Sequence, residues 1–142
     1  MKLKAAILGL AFVCQTAVVD ANTGVLAAIN AERLSNGRTA LVYNKRLEAA
    51  ARAHALDMAK RGFFSHTGSD GSDVGKRMKR AGYKYCFGAE NVAFGQKSLS
   101  AVMAAWMKSS GHRKNILNRK VESVGLARAT GDRWVMVLAA SC

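Results

Sequence analysis

Apolar residues recur along this chain in two alternating periods. From Thr23, the spacing of Val25, Leu26, Ile29 and Leu34 predicts a short helix that Asn36-Gly37 ends. Leu41-Val42-Tyr43 is a brief extended piece, and Asn44 is placed to cap the helix after it. In that helix Leu47, Ala51, Ala55, Met58 and Gly62 share one face, with Ala50 and His54 on its border. So many alanines let a helix approach a sheet closely, and Gly62 is suited to a C-cap. Phe63 to Gly71 is a loop by composition, anchored by its two adjacent phenylalanines. Ser72 or Asp73 then caps a basic helix, Val74 to Ala81, which Gly82 ends.

The second half changes period. Tyr83, Tyr85 and Phe87 alternate with polar or small residues, and Glu90, Val92 and Phe94 resume the alternation, with a bulge expected at Gly88. Ser98 caps a helix striped by Leu99, Val102, Met103 and Trp106. Ser109-Ser110-Gly111 breaks it before one more helical turn, His112 to Leu117. Ser123 to Ala129 is a strand, Thr130-Gly131-Asp132 a turn, and Trp134 to Ala140 a continuous apolar strand. A continuous run implies burial on both faces, so the last strand should be central. The pattern predicts an α+β fold in which helices cover both sides of a small, mainly antiparallel sheet.

The first residues fit none of this. Lys2 and Lys4 precede an apolar run, Ala5 to Val13, and Val19-Asp20-Ala21 offers a small-residue cleavage site. This is the pattern of a signal peptide over residues 1–21, with the domain occupying 22–142. The run is shorter than a membrane span needs, and Val13 is too bulky for a lipobox at Cys14. A secreted or periplasmic protein is expected. Losing Lys2, Lys4 and Asp20 takes the formal net charge from +13 to +12, which favours anionic surfaces. Outside the cytoplasm these are envelope polymers and lipid headgroups, with peripheral membrane contact, rather than a specific nucleic acid. A monomer is expected. Cys86 and Cys142 remain, and in an oxidising compartment an even pair reads as one disulfide, two free thiols being the alternative. No CxxC supports thiol catalysis.

Three side chains stand out. His66 and His112 lie in Gly- and Ser-rich stretches, where function collects. Their separation gives no local metal motif, and either could be merely solvated. Glu90 shares a strand face with Val92 and Phe94, so a costly carboxylate points at apolar material. Either a basic group pairs with it, or it lines a cavity with a histidine or a metal. His54 reads as structural and Asp70 as a turn residue. No GxSxG elbow accompanies Ser65, Ser109 or Ser110. Lys108, Arg113, Lys114, Arg119 and Lys120 form a basic cluster beside His112, either a solvated face or a docking site for an anionic surface.

At these residues the chain resembles the CAP superfamily of cysteine-rich secretory, antigen 5 and pathogenesis-related proteins, and within it the compact bacterial SCP-like branch. The resemblance rests on Ala55-Leu56-Asp57-Met58-Ala59 with Gly62-Phe63-Phe64-Ser65-His66, on Arg77-Met78-Lys79-Arg80-Ala81-Gly82-Tyr83, and on Ala89-Glu90-Asn91-Val92-Ala93. Trp106 to Leu117 and Val124-Gly125-Leu126 follow in family order. It implies a three-layer α-β-α sandwich with a central cleft. His66 and His112 carry over as the histidines that hold a divalent ion such as zinc, and Glu90 as a cleft acid. It also implies sterol or lipid binding in some members, so a small apolar ligand is a further candidate. Lys108-Ser109-Ser110 stands where many eukaryotic members have a second glutamate. The resemblance implies no established turnover, and no catalytic residue is assigned. The readings that remain are a binding module, a metal-dependent hydrolase with Glu90 as general base, and a cationic module for acidic envelope polymers.

Overall fold

The apolar run Trp134–Ala140 is the middle of the sheet, buried throughout. The computed structural model describes residues 21–142, so the expected signal peptide lies outside the described residues except for Ala21. The elements are α1 (Ala21–Ser35), β1 (Val42–Tyr43), α2 (Lys45–Arg61), α3 (Val74–Arg80), β2 (Tyr85–Phe94), α4 (Leu99–Lys108), α5 (Ser110–Ile116), β3 (Ser123–Ala129) and β4 (Arg133–Ser141). The strand order is β1-β3-β4-β2. Both pairings of β4 are antiparallel, and the two-residue β1 runs parallel to β3.

Alternation along β4 divides the core in two. Trp134, Met136 and Leu138 pack with Ile29 of α1, Val102 and Trp106 of α4 and Ile116 of α5. Val135, Val137 and Ala139 pack on the other face with Leu47, Ala51, Ala55 and Met58 of α2 and Met78 of α3. The result is an α-β-α sandwich, as the doubly buried strand requires. Among the described residues, no helix is long and apolar enough to cross a membrane.

The helix ends follow their capping residues. Asn44 Oδ1 accepts from the Arg46 and Leu47 N–H groups, Asp73 caps Lys76, and Ser98 caps Ala101. Gly62 closes α2 in the left-handed region, at φ 69°. The alanine face of α2 reaches β3 at Gly125. A Cβ there would lie 2.1 Å from the Glu48 nitrogen and 2.3 Å from the Leu47 carbonyl carbon.

Three expectations change. The irregularity in β2 falls between Tyr85 and Phe87, not at Gly88. There Cys86 is bonded to Cys142, with Cα atoms 4.8 Å apart. Gly88 keeps its register and instead leaves room for Met78, whose Cε would be 2.4 Å from a Cβ. Phe94 shares its strand face with Glu90 but ends the strand in solvent, 55% exposed. Phe64 does not anchor the loop after α2 either, since it is also exposed and meets Phe94 at the surface.

Candidate functional site

Among the described residues β2 pairs only with β4, so its other edge is open. Successive side chains on this edge strand enter different layers. Glu90 faces α3, while Asn91 faces α5. The cleft forms where the two layers meet along this edge. It has a volume of about 580 Å³ and is lined by His66, Glu90, His112, Phe87, Lys114, Asn115 and Asn118, with Ser109 and Gly111. The two histidines and the acid singled out in the sequence therefore line one cavity.

Glu90 is held on both oxygens. Arg77 Nη2 donates to Oε2 at 2.7 Å, and His66 Nδ1 lies 2.9 Å from Oε1. The Glu90 and Arg77 side chains are only 3% and 5% exposed, while that of His66 is 60% exposed. The alternatives open in the sequence are thus both realised. A base pairs with the acid, and the acid also meets a histidine. Sequence reasoning does not single out Arg77, which belongs there to a run of solvent-type cations. Its Nη1 donates to Ser72 O at 2.7 Å and its Nη2 also to His66 O at 3.0 Å, so one guanidinium fixes the loop and the carboxylate together.

The loop that carries His66 is tied down by polar groups. His54 is fully buried, and its Nε2 donates to Ser65 O at 2.7 Å. Burial holds this imidazole below its ordinary pKa, against the pull of the Glu90 charge. A neutral ring with the proton on Nε2 suits a carbonyl acceptor. Asp57 accepts from the Ser69 N–H and hydroxyl, at 2.8 and 2.6 Å. Asp70 accepts from the Ser72 N–H at 2.9 Å and pairs with Arg80, so it is a turn residue. His54, Arg77, Asp57 and Asp70 line a second cavity of about 370 Å³, separate from the His112 wall.

The His112 wall belongs to α5. Asn91 Nδ2 donates to His112 O at 3.1 Å, and Asn115 Nδ2 donates to Asn91 Oδ1 at 2.8 Å and to Glu90 O at 3.3 Å. Trp106 Nε1 donates to Val92 O at 3.3 Å. Side-chain donors thus occupy the carbonyls of the open edge and moor α4 and α5 to it. The far end of α5 is held by Arg33, fully buried, which donates to Ile116 O at 2.7 Å, Asn118 O at 2.9 Å and Thr39 O at 2.8 Å. Its pKa is lowered by burial and, secondarily, by Arg38. His112 itself is held below its ordinary pKa, first by burial and then by His66. In its neutral form the ring carries one nitrogen lone pair.

A model of the cysteine-rich secretory protein family, CAP, matches residues 26–141. The chain belongs to that family. YkwD, an uncharacterized protein of Bacillus subtilis (strain 168), is 37% identical to this CAP domain over 111 residues, 78% of this chain and 43% of YkwD. YlbC, an uncharacterized membrane protein of the same organism, is 26% identical over 102 residues, 72% of this chain and 30% of that protein. The CAP domain thus spans less than half the length of these curated relatives. Solved structures share its fold. An extracellular protein of Bacillus anthracis containing an SCP domain aligns with a TM-score of 0.80 at 23% identity, over 83% of this chain and 39% of that one. An outer surface protein of Borrelia burgdorferi aligns with a TM-score of 0.77 at 20% identity, over 83% of this chain and 90% of that one.

The donor set in the CAP cleft is narrow. Among the described residues no three His, Cys, Asp or Glu side chains are grouped to hold a metal ion. Glu90 is committed to Arg77 and His66, which leaves the two imidazoles as the donors that could meet an ion. That is one donor fewer than the three protein ligands usual in an open zinc site, and two fewer than a closed structural one.

Proposed function

We propose that this CAP domain is an exported binding module whose cleft takes a divalent ion, zinc above all, on His66 and His112. One observation carries the reading. His66 Nδ1 lies 2.9 Å from Glu90 Oε1. A carboxylate on Nδ1 fixes the proton there and leaves Nε2 as a lone pair for a metal, an arrangement common behind metal-bound histidines. Glu90 is then the orienting group and Arg77 keeps it in place. A bound ion would supply Lewis acidity to whatever oxygen completes its shell. Export is supported by the N-terminal pattern and by fold neighbours that are extracellular or outer-surface proteins. A small lipid or sterol is the other occupant to weigh. Among the described residues, Phe87 is the one large apolar side chain lining the cleft, so the lining favours the ion.

The hydrolase reading asks Glu90 to take a proton from water. Its side chain is almost wholly buried and both oxygens are occupied, so it is poorly placed as a general base.

Titration calorimetry with zinc tests the proposal. The wild type binds, His66→Ala and His112→Ala each abolish binding, and Glu90→Gln weakens it by about tenfold, as loss of an orienting partner does. Binding left unchanged in both histidine variants ends the metal reading. A sterol or fatty acid titrated into the same proteins tests the apolar occupant.

A further inference from the structure

The positive charge of this domain is not spread evenly. Most carboxylates are matched locally: Glu48 with Lys45 and Arg52, Asp57 with Arg61, Asp70 with Arg80, Glu90 with Arg77, and Asp132 with Lys97 and Arg128. Beside the cleft lies a groove of about 590 Å³ lined by Arg38, Arg113, Lys114, Arg119 and Lys120, with Ser110, Leu117 and Asn118. Among the described residues no carboxylate lines it, and no ion pair reaches any of its five cations. Two of them are pre-positioned. Arg38 donates to Leu117 O at 2.8 Å, and Arg113 donates to Asn36 Oδ1 at 2.9 Å. Lys114 and Asn118 line both groove and cleft, so the two are continuous.

We propose that this groove binds a linear envelope glycopolymer carrying repeated phosphodiesters, laid along α5 with one part of the chain over the cleft mouth. The inference goes beyond the cleft reading and does not need a metal. Five cations without counter-charge attract a polyanion, and three are arginines, whose planar forks suit phosphate oxygens. A single-stranded nucleic acid would want a row of aromatic platforms for its bases; among the described residues none lines the groove, and Phe87, beneath Lys120, stands alone in the adjoining cleft. An anionic bilayer would want apolar anchors beside the cations. The exposed large apolar residues, Leu34, Val42, Leu56, Phe64 and Phe94, all lie outside the groove.

The test uses polyglycerol phosphate as probe, with a single-stranded oligonucleotide of equal charge and phosphatidylglycerol vesicles as comparisons. Arg113→Glu/Arg119→Glu should cut polymer affinity by about a hundredfold at moderate salt, and flatten its salt dependence. Lys60→Glu/Lys84→Glu makes the same charge change away from the groove and should cost no more than about threefold. Circular dichroism of each variant verifies folding, and single substitutions replace the pair should it fail. Equal losses from both pairs, tighter binding of the oligonucleotide, or binding of vesicles but not polymer would each overturn the proposal.

Discussion

Arg77 and Glu90 meet at 2.7 Å with both side chains out of water. The pair joins α3 to the edge strand and fixes Glu90 at the cleft, while Arg77 lines the second cavity. Breaking such a pair on one side leaves an uncompensated buried charge, which costs about 3–5 kcal/mol. Arg77→Met should therefore lose about 3 kcal/mol or more in urea unfolding. Arg77→Met/Glu90→Gln should recover part of that loss, since a neutral amide needs no counter-charge. A double variant as unstable as the sum of its singles would show that the two groups act independently.

His54 gives the fold a pH dependence of definite sign. Its folded pKa is lowered by burial, so on acidification the unfolded chain takes up this proton first. Its contribution is complete above about pH 6.5, the ordinary value, and stability falls as the pH drops below it. One proton sets a limit of about 1.4 kcal/mol per pH unit. His112, lowered for the same first reason, adds in the same direction. Urea midpoints between about pH 7 and 5 should fall less steeply in His54→Gln, whose amide can still donate to Ser65 O. An unchanged slope would remove His54 from the account.

Gly125 and Gly111 should respond in opposite ways to a methyl group. At Gly125 the clash is with the backbone of α2, which cannot rotate aside. Gly125→Ala should cost about 3 kcal/mol, the upper range for overpacking, and lower Tm by about 10 °C. At Gly111, within α5, a Cβ meets nothing within 4 Å. Gly111→Ala should leave Tm unchanged or raise it slightly through helix propensity. Calorimetric melting of the two variants decides.

The Cys86–Cys142 bridge spans a sequence separation of 56 residues. In the chain-entropy view, closing a loop of that size stabilises the fold by about 4 kcal/mol. Melting with and without reductant, and of Cys86→Ser/Cys142→Ser, should show a matching loss. A reduced protein that melts at the oxidised temperature would contradict this.

Much of the architecture is legible in the sequence because its signals are local. Asn44, Gly62 and Ser98 punctuate the helices where their own chemistry dictates, and the unbroken run from Trp134 to Ala140 announces a strand covered on both faces. His66, Glu90 and His112 share no local spacing; the ordered motifs supply what periodicity lacks. Arg77 and Arg33 are illegible for a physical reason. An arginine is usually solvated, and nothing local distinguishes one that meets a buried carboxylate or the carbonyls of Thr39, Ile116 and Asn118. The displaced irregularity in β2 has a similar origin, since glycine is the common mark of a bulge, whereas here it accommodates Met78.

The edge strand assigns Glu90 to one layer and Asn91 to the other. A slip of a single residue in its pairing would carry Glu90 into the place of Asn91 and Ala89 into that of Glu90, or Asn91 into the place of Glu90 and Val92 into that of Asn91. In the first case the carboxylate would confront the carbonyl of His112 and Arg77 would face a methyl group; in the second Arg77 would be left with an amide. The irregularity and the bridge at Cys86 stand just upstream, between the β2–β4 ladder and any such error. Inserting or deleting one residue between Cys86 and Glu90 is therefore a sharper lesion than replacing either side chain, because it turns every later side chain of β2 to the opposite layer.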